Sequence, residues 1–339
     1  MTDIQKRKEE HLGLALDSQS QGKGELFEDY ILPYRALPEL SLEKIDTTAV
    51  VCGKKINQPL IIASMTGGVG QAMVINKNLA IAAEKMKVAL GVGSQRAALE
   101  RPEMRQTFSI VRKYAPSAVV FANMGAVQLN YGMKIKDYAE AIKMIEADAL
   151  YLHINPMQEA MQPEGDTNWE NLISKIKSLI ENIKVPVWVK EVGCGLDPDT
   201  ARKMVDVGVA GIDTAGVGGT SWTWIEGKRS GNKNLTEWFS DFGLPTDNLI
   251  SQLAAIKKEA KLVASGGIRN PIQGLKAHLL GADLYSSARP FLKAALEGAE
   301  NVQEEVEDWE RGLRVAMFGI GAENWKEAGR KKLICRIKE

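Results

Sequence analysis

Beyond a polar lead, short apolar runs alternate with amphipathic stretches for most of the 339-residue chain. Eight runs have the length and small or β-branched character of buried strands: Pro59–Ser64, Val88–Val92, Ala118–Asn123, Ala149–Ile154, Val185–Lys190, Gly211–Ala215, Leu262–Ser265 and Leu284–Ser287. Helical periodicity lies between them, as in Trp169–Asn182, Thr200–Val207, Asp247–Lys258 and Pro271–Leu280. The last opens on a proline at a first-turn position, where its missing N–H costs nothing. Such alternation is the signature of parallel strands joined by crossover helices, and eight units in one run favour an α/β fold closed as a (β/α)8 TIM barrel. The predicted organisation is one domain over 1–339. It comprises an N-terminal extension or lid (1–50), a barrel (59–298) with an insertion after its sixth strand, and a C-terminal helical tail (299–339).

In such a barrel the functional groups sit at the C-terminal ends of the strands and in the loops that follow. The residues there are Ser64-Met65-Thr66-Gly67-Gly68, Gly93-Ser94-Gln95-Arg96, Asn123, the run His153 to Glu159 with Asn155 and Gln158, Lys190-Glu191, Thr214, and Gly216 to Thr220. The last two strands end in Ser265-Gly266-Gly267 and Ser287-Ala288. Glycines let the backbone approach an anion closely, and the N–H groups opening the next helix point at it, so these two turns predict a phosphate pocket. A full ring of polar residues at one end of a barrel is hard to explain as packing.

Lysine plus arginine equals aspartate plus glutamate at 43 each, so no overall positive field exists to hold nucleic acid or an anionic membrane surface. Any anionic ligand must be met by a local cluster. Cys52, Cys194 and Cys335 show no metal-ligand or disulfide spacing and read as free thiols of a reducing cytosol. The charged start and the absence of an apolar run near the ~20 residues of a membrane span predict a soluble, cytoplasmic protein. Two segments stand apart: Arg7-Lys8-Glu-Glu-His11, and the polar stretch Gly227–Asp241 after Trp222, Trp224 and Glu226. They read as a disordered terminus and a solvated loop, or as active-site lids. His278 falls within an outer helix and reads as structural.

Lys190 ends an otherwise apolar strand, which puts its ammonium at the barrel mouth. With a phosphate tail held beyond strands seven and eight and a planar ring across the mouth, this lysine would neutralise the anionic edge of a reduced flavin, so FMN is the natural cofactor. The competing reading pairs Lys190 with Glu191 as a snorkelling side chain. Met65, Thr66, Ser94 and Asn123 offer polar contacts to a ring edge. Glu159 alone makes a poor metal site, but magnesium needs only one or two carboxylates when a diphosphate supplies other oxygens. Arg96, joined by Arg7, Lys8 and His11 if the N-terminal segment folds over, would clamp that diphosphate.

Together, Arg7-Lys8-x-x-His11, Met65-Thr-Gly-Gly68, Gly93-Ser-Gln-Arg96, Leu152-His-x-Asn-Pro-x-Gln-Glu159 and Gly218-Gly-Thr-Ser-Trp222 with Glu226 resemble the type II isopentenyl diphosphate isomerases, over nearly the whole chain. The resemblance implies an FMN- and Mg2+-dependent conversion of isopentenyl to dimethylallyl diphosphate in isoprenoid biosynthesis. NADPH or NADH reduces the flavin, with no net redox change. It assigns FMN to Ser64, Met65, Thr66, Ser94, Asn123, Lys190, Thr220, Gly267, Arg269, Ser287 and Ala288. It assigns substrate to Arg7, Lys8, His11, Arg96, His153, Asn155 and Gln158, and magnesium to Glu159. Catalytic roles fall to Gln158, Lys190, His153, Trp222 and Glu226; a neutral amide such as Gln158 orients or relays rather than acting as a strong base. Position 193 is glycine, so no hydroxyl contact arises there. A homotetramer or larger assembly is implied. The rival reading is a 2-hydroxy acid dehydrogenase or oxidase-like flavin enzyme, which shares the Gly-Gly-Ile-Arg turn. Those enzymes use a histidine base after a late strand, and Ala215–Ser221 contains none. A barrel that merely binds a phosphate ligand leaves the His153 to Glu159 cluster unexplained.

Overall fold

The computed structural model describes residues 3–22, 26–68 and 70–335, with the side chains of 3–6, 8, 9 and 70 outside that set. Eight strands close a barrel: β1 (Leu60–Ile62), β2 (Ala89–Gly91), β3 (Val120–Gly125), β4 (Ala149–His153), β5 (Val187–Lys190), β6 (Gly211–Asp213), β7 (Lys261–Ala264) and β8 (Leu284–Ser287). Each pairs in parallel with the next, and β8 returns to β1 through Tyr285 opposite Leu60 and Ser287 opposite Ile62. All eight predicted runs are barrel strands.

The two-residue period of these strands sorts their side chains into two cores. Outward residues such as Leu60, Ile62, Leu90, Leu150, Val189 and Leu262 pack under the helices. Inward residues Ile61, Phe121, Tyr151, Trp188, Val263 and Leu284 fill the interior. There Phe121 stacks on Tyr151 with centroids 4.5 Å apart, and Trp188 meets Phe121 edge-on at 5.2 Å. A hairpin of Ala49–Val51 and Lys54–Ile56 adds Val51 and Ile56 to this inner cluster and so plugs the barrel. The N-terminal half of the barrel is therefore solid, and only the opposite end has room for a ligand.

Three segments differ from expectation. The N-terminal residues form a helix, Asp3–Leu16, whose Leu12 is buried in the main core. The stretch read as a solvated loop forms two helices, Trp222–Ser230 and Lys233–Phe239. Its polar residues serve helix ends: Ser221 and Asn232 accept the N–H groups of Trp224 and Leu235 as N-caps, and Gly231, at φ +70°, ends the first helix in the left-handed conformation. The tail is helical over Ala299–Gly319 and Trp325–Ala328, but Ile334–Cys335 is extended and pairs antiparallel with Tyr30–Ile31. That pairing satisfies backbone groups of both segments, which overrides helical continuation. Among the described residues no helix is long and apolar enough to cross a membrane.

Gly211 shows how tightly the interior is filled. A Cβ there would lie 2.2 Å from Cε3 of Trp188. Gly211→Ala is expected to lower stability by about 1–3 kcal/mol through overpacking, read as a lower urea midpoint with unchanged slope.

Candidate functional site

At the C-terminal mouth a cavity of about 1110 Å³ extends beneath the N-terminal helix. At one end two loops nest backbone to backbone. Gly266 and Gly267, after β7, adopt φ of +91° and +95°; a Cβ on the first would lie 2.1 Å from the Gly216 carbonyl oxygen, and on the second 2.4 Å from the carbonyl carbon of Gly218. Only glycine permits that approach. Arg269 donates to Gly218 O at 3.0 Å, and Ser287 Oγ donates to Ile268 O at 2.7 Å, tying the β6, β7 and β8 loops into one cradle. Arg289, directly after Ala288, donates to the carbonyls of Leu16 and Asp17 and so anchors the end of the N-terminal helix beside that cradle. Across it, the buried Ser64 Oγ has no hydrogen-bond partner among the described residues. A glycine cradle, two arginines and an orphaned hydroxyl fit the phosphate and polar edge of a flavin mononucleotide.

The floor is set by neighbouring strand ends, with Lys190 opposite both His153 and Asp213. Lys190 Nζ donates to the main-chain carbonyl of Glu191, not to its carboxylate. That carboxylate is instead spent on the loop: Oε2 accepts the N–H groups of Val192, Gly193, Cys194 and Gly195 at 2.5–3.1 Å. The Lys190–Glu191 side-chain pairing of the competing reading is thus absent, and a backbone nest surrounds the Glu191 carboxylate instead. Burial raises the Glu191 carboxyl despite these donors, and burial likewise raises Asp213, against the pull of Lys190 and the Ser265 hydroxyl.

His153 Nδ1 lies 2.8 Å from Asn123 Oδ1, and Asn123 Nδ2 donates to Val92 O at 3.0 Å. The amide orientation therefore puts the imidazole proton on Nδ1 and leaves Nε2 bare. Burial first, then the positive charges of Lys190 and Arg96, push the His153 imidazole down to about 3, so it is neutral near pH 7.

Charged and amide groups crowd the other end. Arg96 Nη1 donates to Asp166 Oδ2 at 2.6 Å and its Nε to Glu100 at 2.7 Å. Glu159 accepts from Asn155 Nδ2 at 2.9 Å and from the Asp166 N–H at 2.8 Å. Gln158 accepts from Asn155 Nδ2 at 3.1 Å and donates to Glu226 Oε1 at 3.1 Å. Glu226, wholly buried, also meets His11 Nε2 at 2.8 Å and Arg229 Nη1 at 2.5 Å. Burial alone would raise its carboxyl, but His11, Gln158 and Arg229 hold it below the usual range. Arg229 continues to Glu10 and Glu164, and Arg7 lies 3.8 Å from Glu164. Trp222 meets the His11 ring edge-on, with centroids 5.1 Å apart.

Of the predicted site residues, all but Lys8 and Glu226 line this one cavity. Glu226 stands behind His11 and Gln158, and the Lys8 side chain lies outside the described residues. Sequence reasoning missed Gln128, Asp166, Asp213, Arg229 and Arg289. Two carried a usable signal: Asp213 ends β6, and Arg289 adjoins the second phosphate turn. Among the described residues no three histidine, cysteine or acidic side chains are grouped to hold a metal ion.

A phosphate cradle beyond β7 and β8 with a lysine on the floor defines a flavin-mononucleotide barrel, and residues 100–335 match the family model for FMN-dependent dehydrogenases. The fold is shared with a solved mandelate oxidase mutant bearing the C4a-OH-FMN adduct, at 18% identity and a TM-score of 0.69 over 99% of this chain and 100% of that one. An isopentenyl-diphosphate delta-isomerase of Nostoc sp. is 43% identical over 325 residues, covering 94% of this chain and 93% of its own. One from Methanothermobacter thermautotrophicus is 39% identical over 333 residues, covering 98% and 93%. The chain belongs to the isopentenyl-diphosphate delta-isomerase family.

The His153 environment has a measurable consequence. With its folded pKa depressed to about 3, the unfolded chain binds a proton that the folded chain refuses, so stability falls as pH drops from about 6.5 toward 3. His153→Gln is expected to flatten that part of the apoprotein's stability profile in urea titrations. An unchanged slope would mean that the imidazole is solvated.

Proposed function

We propose that this chain converts isopentenyl diphosphate to dimethylallyl diphosphate on reduced FMN, with Mg2+ and with NADPH or NADH as reductant of the flavin. One observation carries the reading: a single cavity has an anion cradle at each end, glycine-rich at Gly266–Gly267 and cationic at Arg7 and Arg96, with His11 beside them. A flavin phosphate suits the first and a substrate diphosphate the second, which lays the allylic carbons over the floor between them.

When bound and reduced, the flavin supplies an electron-rich face and an acid/base group beneath the reacting carbons. The protein's own residues do the rest. Lys190 sets a positive charge at the floor, where it offsets the anionic side of the ring. Asn155 and Glu226 hold both ends of the Gln158 amide, so that side chain is oriented before substrate arrives. Glu226 is ionised at neutral pH and links His11 to Gln158, a path along which a proton can be passed or held. Trp222 braces the His11 ring and shields the pocket from water. Glu159 takes one N–H on each oxygen and retains lone pairs with which it would hold a magnesium ion, whose charge would help neutralise a diphosphate. We read the assembly as a homotetramer or larger; Trp238 and Phe242, exposed on the insertion, offer apolar surface for a neighbouring subunit to cover.

The oxidase-like reading lacks its base. No histidine stands between Ala215 and Ser221, and His278 is stacked on Trp325 at 3.6 Å with its nitrogens on the Ala282 and Trp325 carbonyls. The deciding experiment is turnover of isopentenyl diphosphate with FMN and Mg2+, in parallel reduced and oxidised samples. Dimethylallyl diphosphate is expected only in the reduced sample and without stoichiometric reductant consumption; reductant consumed with no isomer would favour the oxidoreductase. Gln158→Ala should keep the flavin absorbance and lose turnover by roughly 100-fold or more, as expected for loss of a positioned proton-transfer contact. Near-normal turnover would remove Gln158 from the mechanism.

A further inference from the structure

Asp166 does not line the cavity itself, yet its side chain holds Arg96 and Gln128 and its main-chain N–H holds Glu159 at the diphosphate end. Its Oδ2 accepts from Arg96 Nη1 at 2.6 Å and from Gln128 Nε2 at 2.7 Å, while its N–H donates to Glu159 at 2.8 Å. Arg96, Gln128 and Glu159 all face the cavity. The turn that carries Asp166 is held rigidly: a Cβ on Gly165 would fall 1.8 Å from the Glu159 carbonyl oxygen, and Gly165 N–H donates to Gln162 O at 3.0 Å. Any larger residue at 165 must shift the turn that carries Asp166 against the Glu159 backbone.

We propose that Asp166 is a positioning residue for diphosphate recognition, fixing the Arg96 guanidinium and the Glu159 carboxylate in one geometry before substrate binds. The proposal rests on the reading of Arg96 and Glu159 as diphosphate-side groups. Without Asp166, the remaining ionic partner of Arg96 is Glu100, one turn along its own helix at a site where both side chains are over a third exposed. The guanidinium would then relax toward solvent, because a surface i,i+4 pair holds little. Gln128 would lose its acceptor, and Glu159 would keep Asn155 Nδ2 and a less constrained backbone N–H at residue 166. Preorganisation of this kind strengthens ground-state and transition-state binding alike, so its loss should appear in affinity rather than in the chemical step.

The test uses FMN-loaded protein and inorganic pyrophosphate with Mg2+ as the probe, followed by calorimetry, beside kinetics with isopentenyl diphosphate. Asp166→Ala should weaken pyrophosphate binding roughly tenfold, in line with loss of a charge-assisted contact, and raise KM by a similar factor while kcat stays within about threefold. FMN content and the flavin spectrum should be unchanged. Asp166→Asn, which still offers an acceptor to Gln128, should fall between. Gly165→Ala should reproduce the Asp166→Ala phenotype with Asp166 intact, which keeps the proposal testable if the first variant fails to fold. Pyrophosphate affinity and KM within twofold of the parent, or tighter binding, in a flavin-loaded Asp166→Ala protein would overturn the proposal. Unchanged pyrophosphate affinity in Arg96→Ala would instead overturn the reading of this end as the diphosphate site, and the positioning role with it. Because calorimetry needs no turnover, the affinity arm decides even if isopentenyl diphosphate is not the substrate.

Discussion

The mouth of this barrel depends on a carboxylate that has no access to water. Glu226 is fully buried, and a lone ion there would be intolerable, so His11, Gln158 and Arg229 must all be in place around it. These partners come from three separate segments: the N-terminal helix, the loop after β4 and the insertion after β6. The N-terminal helix is also held by Leu12 in the main core and by Arg289 at its end, and the Glu226 cluster joins it to the other two segments. The requirement to neutralise one buried charge therefore draws lid, loop and insertion together, and the closed shape of the cavity follows from electrostatics as much as from apolar packing.

The same logic explains how a chain with no net charge can hold two anions. Charge is sorted locally rather than summed. Arginines at the end away from the glycine cradle are each met by an acid, Asp166 for Arg96 and Glu164 for Arg7 and Arg229. The glycine cradle at the other end needs no such balance, because backbone N–H groups supply partial charge without a formal counter-ion. Between them lie a cation, a neutral imidazole and a buried acid, Lys190, His153 and Asp213, on adjacent strands. Keeping His153 neutral beside Lys190 avoids piling positive charge on the floor.

Most of the fold was legible because the barrel repeats one signal eight times, and each strand carries its own apolar run. Most cavity-lining residues were legible for a related reason: a barrel sends its ligand-facing groups to one end, so reading the strand termini recovers His153, Lys190, Asn123 and Ser94 without knowledge of packing. What escaped depends on contacts between segments. The helices of 222–239 carry few apolar residues on a repeating face, and their caps read as loop chemistry until the turns are seen. Glu191 next to Lys190 suggested a salt bridge, whereas the chain turned its carboxylate back onto four amides. Asp166 sits in a polar turn with no periodicity at all, and its partners lie 7, 38 and 70 residues away in sequence.

This scaffold is shared with a mandelate oxidase at 18% identity, while relatives at 39–43% identity are isomerases. The difference must lie in what faces the substrate. Removing hydride equivalents from a hydroxy acid calls for a base near the hydroxyl, and the loop after β6 here presents glycines and Thr220 instead of histidine. Moving a double bond calls for one proton delivered and one removed with no net oxidation. On the proposed reading, that suits a pocket with an oriented amide, an ionised acid behind it and arginines at one end. On that reading the His11, Gln158 and Glu226 cluster would meet the need with its carboxylate buried away from bulk water. The acid behind the amide and the grip on the diphosphate are thus two parts of one constraint, because proton transfer at carbon is only useful while the carbon chain is held still.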